Sequence, residues 1–259
     1  MKGRAWLWIL ALAAAPGAAA GQDLTARITG GGDGTVRMRF ATRAGVEICE
    51  DGLRMFGHRM MWRSRWEDGD RCQPGPVEAE LEVQNGGIRK VETLRLWEEG
   101  DPDARDLGEV EPGAAVAALM DAARNGRGGR GARDAVLPIM LADVDNAWQD
   151  VLGLAQDRDL SRETRKSALF WVGQEAAAEA TRGLVDVATH GGEEQEIRDA
   201  AVFALSQRSP EESVPILMEL ARTAEQAKTR KSAFFWLAQL DDERVTAFFR
   251  DVLRGGRGG

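Results

Sequence analysis

The feature that most constrains the fold is a segment of eight residues that occurs twice in nearly identical form, as TRKSALFW (164–171) and TRKSAFFW (229–236). A third, more divergent copy lies between them. The aligned segments are RKSALFWVGQ (165–174), RDAAVFALSQ (198–207) and RKSAFFWLAQ (230–239), which start 33 and 32 residues apart. A fixed period between about 20 and 50 residues is typical of stacked repeats, in which each unit buries its apolar face only against its neighbours.

Each copy is predicted to begin a helix that is followed by a second apolar helix. The second helices are expected within residues 180–188, 214–221 and 245–253. Residues 133–144 and 148–156 are interpreted as a degenerate first unit, which Pro138 bends. The pattern therefore predicts an α-solenoid of antiparallel helix pairs over residues 131–254.

The turns between these helices carry recognisable end signals. Residues 209–212 form a capping box with Pro210 at the first helical position. The sequence His190-Gly191-Gly192 is typical of a helix that ends with a residue in the left-handed conformation.

The repeat has a consistent internal pattern, in which an arginine is followed three residues later by alanine and then by a bulky pair. The positions are Arg165, Ala168, Trp171 and Val172; Arg198, Ala201, Ala204 and Leu205; and Arg230, Ala233, Trp236 and Leu237. This pattern resembles the HEAT family, especially its short bacterial form, which phycobilin lyases share. The resemblance covers residues 131–254 and implies an α-solenoid that binds proteins or peptides without chemistry.

Some HEAT-like relatives are enzymes or hold cofactors, so a lyase or hydroxylase type of protein is the alternative. The deoxyhypusine hydroxylase branch resembles this chain in its repeats but holds iron through His-Glu pairs. Here His58 precedes Arg59 and His190 precedes Gly191. The sequence also contains no G-x-S-x-G, P-loop or H-E-x-x-H motif. We therefore expect a non-catalytic protein with no cofactor and no metal.

The residues before the repeats have the period of β-strands. TVRMRFAT (35–42) alternates apolar and polar residues, and so does VEAELEV (77–83). Asn85-Gly86-Gly87 predicts a tight reversal into the apolar run 88–97, so these two runs should pair as a hairpin. The chain is thus predicted to be an α+β multidomain protein, with a small antiparallel β domain over residues 22–100.

A linker is predicted over residues 101–130, with one helix at 112–125. The Arg-Gly segment 125–133 is expected to be a flexible joint, and residues 255–259 a loose tail.

Cys49 and Cys72 are the only cysteines, and we expect them to form a structural disulfide in the β domain. A metal site that adds His58 is the alternative, but it offers at most three ligands. Between the cysteines lies segment 52–66, which is rich in Met, Trp and Arg. We interpret it as core and solvated surface of the β domain, and a binding loop is the alternative.

The first twenty residues predict export. Lys2 and Arg4 precede an apolar run at 5–15, and small residues at 18–20 are typical of a signal-peptide cleavage site. Later segments are not apolar enough to span a membrane, so we expect a periplasmic or extracellular protein. The net charge of -8 argues against a nucleic-acid partner, because phosphate binding needs a dominant basic surface.

In the first helix of each unit, similar residues also recur on the face that points away from the core around the alanine. At about 100° per residue, the Phe two places after that alanine points about 200° away from it, and a Gln lies four residues further along the same face. The predicted ladder consists of Lys166, Ser167, Phe170 and Gln174; Ala200, Phe203 and Gln207; and Lys231, Ser232, Phe235 and Gln239.

We expect this ladder to contact a protein or peptide partner, or the protein's own β domain, with the lysines receiving acidic groups. The alternative is that the three Phe rings touch neighbouring repeats and belong to the core. The solvent accessibility of the rings distinguishes these interpretations.

Overall fold

A computed structural model of the protein describes residues 16–49, 52–55, 58–61, 72–94, 98–125, 129–175 and 177–255. The apolar run of the predicted signal peptide, much of segment 52–66 and tail residues 256–259 lie outside these ranges. Within them the protein contains both sheets and helices. Among the described residues, none of the helices combines the length and the apolar character needed to cross a lipid bilayer.

The strands lie in the first half of the chain. They are β1 (Gly34–Phe40), β2 (Val46–Cys49), β3 (Gly52–Met55), β4 (His58–Met61), β5 (Cys72–Gln73), β6 (Val77–Gln84), β7 (Gly87–Thr93) and β8 (Arg105–Glu109).

One helix precedes the strands, and the others follow them. The helices are α1 (Pro16–Thr29), α2 (Pro112–Asn125), α3 (Gly129–Asp134), α4 (Val136–Leu141), α5 (Ala147–Gln156), α6 (Arg162–Gly173), α7 (Ala178–Thr189), α8 (Gln195–Ser206), α9 (Pro210–Thr223), α10 (Ala227–Leu237) and α11 (Glu243–Gly255).

The larger sheet has the strand order β7-β6-β1-β8. The predicted hairpin is confirmed: β6 and β7 pair antiparallel, and Asn85 and Gly86 adopt φ values of 53° and 68° at the turn. The alternation in β1 is confirmed as well, because Val36, Met38 and Phe40 are buried. These residues bury one face of the sheet in the core.

Two boundaries of the predicted β domain are wrong. Strand β8, in the predicted linker, pairs with β1 in parallel, so the sheet is mixed rather than antiparallel. Residues 22–29 are helical, because Leu24 and Ile28 recur at helical spacing and are buried where α1 contacts α2. A Cβ atom added to Gly21 would lie 2.2 Å from the Cβ of Ala117, which shows how closely these two helices approach.

The predicted disulfide is confirmed. Cys49 of β2 and Cys72 of β5 are directly opposite each other in the smaller sheet, whose order is β4-β3-β2-β5, and their sulfurs are bonded. The bond uses both sulfurs, so the alternative metal site with His58 lacks its thiolate ligands.

The repeat helices form as predicted. The first helices of the three copies are α6, α8 and α10, and α8 contacts both of the others. The second helices are α7, α9 and α11, and α2 has the bounds that the sequence predicts. The buried alanines Ala168, Ala201 and Ala233 lie at equivalent positions and have 0% exposure.

The two predicted helix ends lie where expected, since α9 begins at Pro210 and α7 ends before His190, but the predicted capping at both is wrong. The Ser209 side chain makes no capping hydrogen bond, and the Glu212 carboxylate accepts from Arg208 at 2.7 Å instead. His190 caps α7 in an extended conformation, with φ -62° and ψ 117°, and neither Gly191 nor Gly192 has a positive φ, so this terminus is not left-handed. A cap that the sequence analysis missed is Ser161, whose Oγ accepts from the backbone N–H of Thr164 at the start of α6.

The sheet and the helices share one buried core, which extends from Leu24 to Phe248. Backbone hydrogen bonds link the end of β1 to the turn after α4, from Asp143 N to Ala41 O at 2.9 Å. The expected flexible joint is wrong for the described residues 129–133, which lie in α3 against β7. A Cβ atom added to Gly131 would lie 2.6 Å from the carbonyl oxygen of Arg89, so only glycine fits this contact.

Candidate functional site

The three Phe rings of the predicted ladder belong to a continuous row of aromatic rings across α6, α8 and α10. Phe170 stacks on Phe203 with ring centroids 6.4 Å apart, and Phe203 contacts Trp236 at 4.8 Å. Edge contacts of 5.1 and 5.0 Å add one ring at each end of this series. We call these five residues the aromatic row: Trp171, Phe170, Phe203, Trp236 and Phe235.

The exposure of the row increases toward α10. Trp171 is buried, Phe170, Phe203 and Trp236 are half-buried, and Phe235 is 56% exposed. The packing interpretation is therefore confirmed for the contact between Phe170 and Phe203, which joins two neighbouring repeats. The interpretation that all three Phe rings belong to the core is wrong for Phe235, which presents most of its surface to solvent.

The sequence analysis missed Trp236 as a member of this surface. It assigned Trp236 to the pattern of core positions, yet this ring continues the row after Phe203. The available signal is the Phe-Trp pair, which occurs at 170–171 and again at 235–236. Each of these pairs makes an edge contact within its own helix.

The polar members of the ladder lie on both sides of the rings. Ser167 is half-buried, and its Oγ donates to the Arg133 carbonyl at 3.2 Å, which ties α6 to α3. Gln174 and Gln207 occupy the C-cap positions of α6 and α8 with the same φ of -84°. The remaining positions are Ala200 and Ser232, both half-buried, and Gln239, which is exposed.

The charged members of the ladder are Lys166 and Lys231, and both side chains are exposed. Neither forms an ion pair with any residue in the described part of the chain. The middle repeat has Asp199 at the equivalent position, and its carboxylate accepts a hydrogen bond from the Gln195 side chain at 2.9 Å.

The arginines of the repeat pattern have a structural role away from the aromatic row. Arg165, Arg198 and Arg230 each donate to backbone carbonyls at the end of the preceding helix, namely those of Ala155, His190 and Ala224. A helix C-terminus carries unsatisfied carbonyls and partial negative charge, and a guanidinium satisfies both.

Arg165 has an additional acidic partner. Its Nη2 donates to the buried Glu193 carboxylate at 2.5 Å. Burial alone would raise the pKa of Glu193, but the hydrogen bonds from Arg165 and the Glu194 backbone outweigh it, so this pKa is lowered. Glu193 therefore stays ionised and paired at neutral pH.

A shallow groove of about 440 Å³ lies beside this ion pair, at the ends of α5 and α7. Arg158 and His190 line it, with Nη2 and Nε2 3.2 Å apart. Across the described ranges, no group of three His, Cys, Asp or Glu side chains is placed to hold a metal ion. Of the two carboxylates that line the groove, Glu193 is engaged by Arg165, and Asp186 lies in the last turn of α7.

No protein-family model matches this chain, and no curated protein is significantly similar to it. The resemblance to HEAT repeats consequently depends on the residues of the repeat pattern itself.

Proposed function

We propose that this is an exported HEAT-like repeat protein that binds a protein or peptide partner along the aromatic row, without catalysis. The observation that carries the proposal is the continuity of the row across three helices, ending in the 56% exposed ring of Phe235. Exposed aromatic surface on a soluble protein is a feature of binding sites, and aromatic residues are enriched among those that dominate interface energies.

The scaffold under the row favours binding to a preformed surface. Phe170 and Phe203 are held by their stacking contact, and the helices that carry them pack through fully buried alanines. Side chains that are already ordered lose little conformational freedom when a partner binds, so more of the contact energy is available for affinity.

The proposed location outside the cytoplasm has two supports. The Cys49–Cys72 disulfide indicates an oxidising environment, because such bonds persist there and are rare in the cytosol. The N-terminal sequence has the charged, apolar and small-residue regions of a signal peptide.

The proposal is tested by capture from the exported protein fraction of the source cells. Immobilised wild type is compared with Phe235→Ser and with the control Leu253→Ser, which changes a 72% exposed apolar residue on α11. Both residues are exposed, so both variants should keep the wild-type fold and stability to within about 0.5 kcal/mol. Circular dichroism and thermal unfolding check this before the capture.

We expect wild type and Leu253→Ser to retain the same protein or peptide, and Phe235→Ser to lose it. Removing a dominant aromatic contact costs about 2 kcal/mol or more, which corresponds to roughly 30-fold weaker binding. Equal capture by all three proteins, or equal loss with both variants, would contradict a binding site on the aromatic row.

A further inference from the structure

We infer that the partner presents an acidic segment with apolar side chains, in which carboxylates bind the lysines of α6 and α10 while the apolar groups contact the aromatic row. This inference rests on the proposed function and specifies the chemistry of the same site.

The first observation is the distribution of lysine. The chain has five lysines, and three of them lie on the two outer helices of the row. Lys166 precedes Phe170 by four residues, and Lys231 precedes Phe235 by four, so each lies on the same helix face as its ring. Lys228 precedes Phe235 by seven residues, two turns away on that face.

The second observation concerns the exposure and ion pairing of these three lysines. They are exposed and form no ion pair among the residues that the structure describes. Lys90 on β7, in contrast, pairs with Glu92 at 2.5 Å. The cations beside the aromatic row are thus available to carboxylates from outside the chain.

Acidic residues of α6 and α8 are engaged by neighbours, although Asp199 keeps its charge because its partner, the Gln195 amide, is neutral. Glu196 lies 3.6 Å from Arg162, and Asp199 accepts the hydrogen bond from Gln195. Glu163 contributes to the raised pKa of Arg162, behind the contributions of Glu194 and Glu196, so its field acts on a guanidinium of its own helix. Helix α10, which carries the exposed end of the row, has the sequence AKTRKSAFFWL with three basic residues and no acidic one, so the charge of this helix is positive.

The scale of this charge favours a short acidic polypeptide over a nucleic acid. Three lysines match two or three carboxylates, and at physiological ionic strength such contacts act within about 8 Å. A nucleic acid carries a charge at every phosphate and would meet the protein's overall net charge of -8.

The test is selection of 12-residue peptides from a random phage-displayed library on the immobilised full chain. We expect the enriched peptides to combine net negative charge with aromatic or aliphatic residues. Their synthetic versions should bind Lys228→Gln/Lys231→Gln about 3- to 10-fold more weakly than wild type, and more weakly again at high salt. The control Lys90→Gln, which removes a lysine on β7, should leave the affinity unchanged.

Different results separate this inference from the proposed function. Neutral or basic peptides that still lose binding with Phe235→Ser would overturn the acidic partner and leave the aromatic row as the site. Acidic peptides that bind the lysine variant and wild type equally well would also overturn the inference. No enrichment at all, or peptides indifferent to Phe235→Ser, would overturn both.

Discussion

Replacing Arg165 with methionine should destabilise the protein far more than the same change at the equivalent position of the last repeat. Arg165 is 1% exposed, and its guanidinium donates to the Ala155 carbonyl at 2.8 Å and to Glu193 at 2.5 Å. Arg165→Met leaves the Glu193 carboxylate buried without its cation. Breaking a buried pair in this way costs about 3–5 kcal/mol of unfolding free energy.

Arg230→Met is the matched control. Arg230 is half-buried and donates to the carbonyls of Ala224 and Glu225, at 2.7 and 2.9 Å. Water can reach these carbonyls once the side chain is shortened, so the expected cost is only about 1–2 kcal/mol. Urea unfolding at pH 7, followed by circular dichroism, measures both values.

The difference between wild type and Arg165→Met should also shrink as the pH falls. Folding lowers the pKa of Glu193 in wild type, so its ion pair stabilises the native state above the unfolded pKa. That stability is lost as the pH falls through the folded pKa. In the variant, burial dominates and raises the pKa of Glu193, so acid protonates the buried carboxylate and relieves the cost.

Arg230→Met should show no such convergence with wild type, because neither of its hydrogen bonds involves a carboxylate. Unfolding free energies at pH 7 and pH 5 test the distinction. The reasoning is refuted if Arg165→Met costs no more than Arg230→Met at pH 7, or if its cost is the same at both pH values.

Three further changes have defined outcomes. Replacing Cys49 and Cys72 by alanine should lower the unfolding free energy by about 3 kcal/mol, since the bond closes a loop with a sequence separation of 23 residues, and urea midpoints of the oxidised protein and the variant measure this. Gly131→Ala should cost about 1–3 kcal/mol, because its Cβ would lie 2.6 Å from the Arg89 carbonyl, and a normal urea midpoint would disprove that contact. Gly153→Ala, on α5 with no atom within 4 Å of the added Cβ, should instead raise the melting temperature through a gain of up to about 1 kcal/mol, and no change or a decrease would contradict this.

Features fixed by neighbouring residues could be predicted from the sequence. The β6–β7 turn follows from Asn85-Gly86, whose positive φ values the structure has. The helix over Pro112–Asn125 follows from apolar residues at helical spacing, and the disulfide from a single pair of cysteines. The turn and the helix depend on residues within one segment, and two cysteines allow only one disulfide pairing.

Features decided by distant partners could not be predicted. Strand β8 is short and contains Gly108 with φ 71°, so its own residues give a weak strand signal, and its pairing depends on β1. The small residues around Gly21 are typical of a cleavage site, yet Gly21 also lets α1 approach Ala117 of α2. Small residues around Gly21 fit both interpretations, and only the contact with α2 shows that this segment is a packed helix.

The aromatic row likewise has one part that could be predicted from the sequence and one part that could not. The spacing of Phe170 and Phe203 predicts a shared face, and the two rings do stack. Which ring follows Phe203 depends on the rotation of α10 against α8, and this rotation brings Trp236 rather than Phe235 into contact. Periodicity within a helix cannot specify a rotation between two helices.

The arginine contacts at the helix ends imply a different folding order for the two halves of the chain. Arg165 reaches a carbonyl ten residues earlier, and Arg198 reaches one eight residues earlier, so each helix pair closes with local contacts. The contacts of the sheet join residues much further apart in the chain. The carbonyl of Ala41, for example, accepts a hydrogen bond from the backbone N–H of Asp143. Because local contacts form faster than distant ones, the repeats can fold as they emerge, while the sheet cannot make its contact with the turn after α4 until about half the chain has been made.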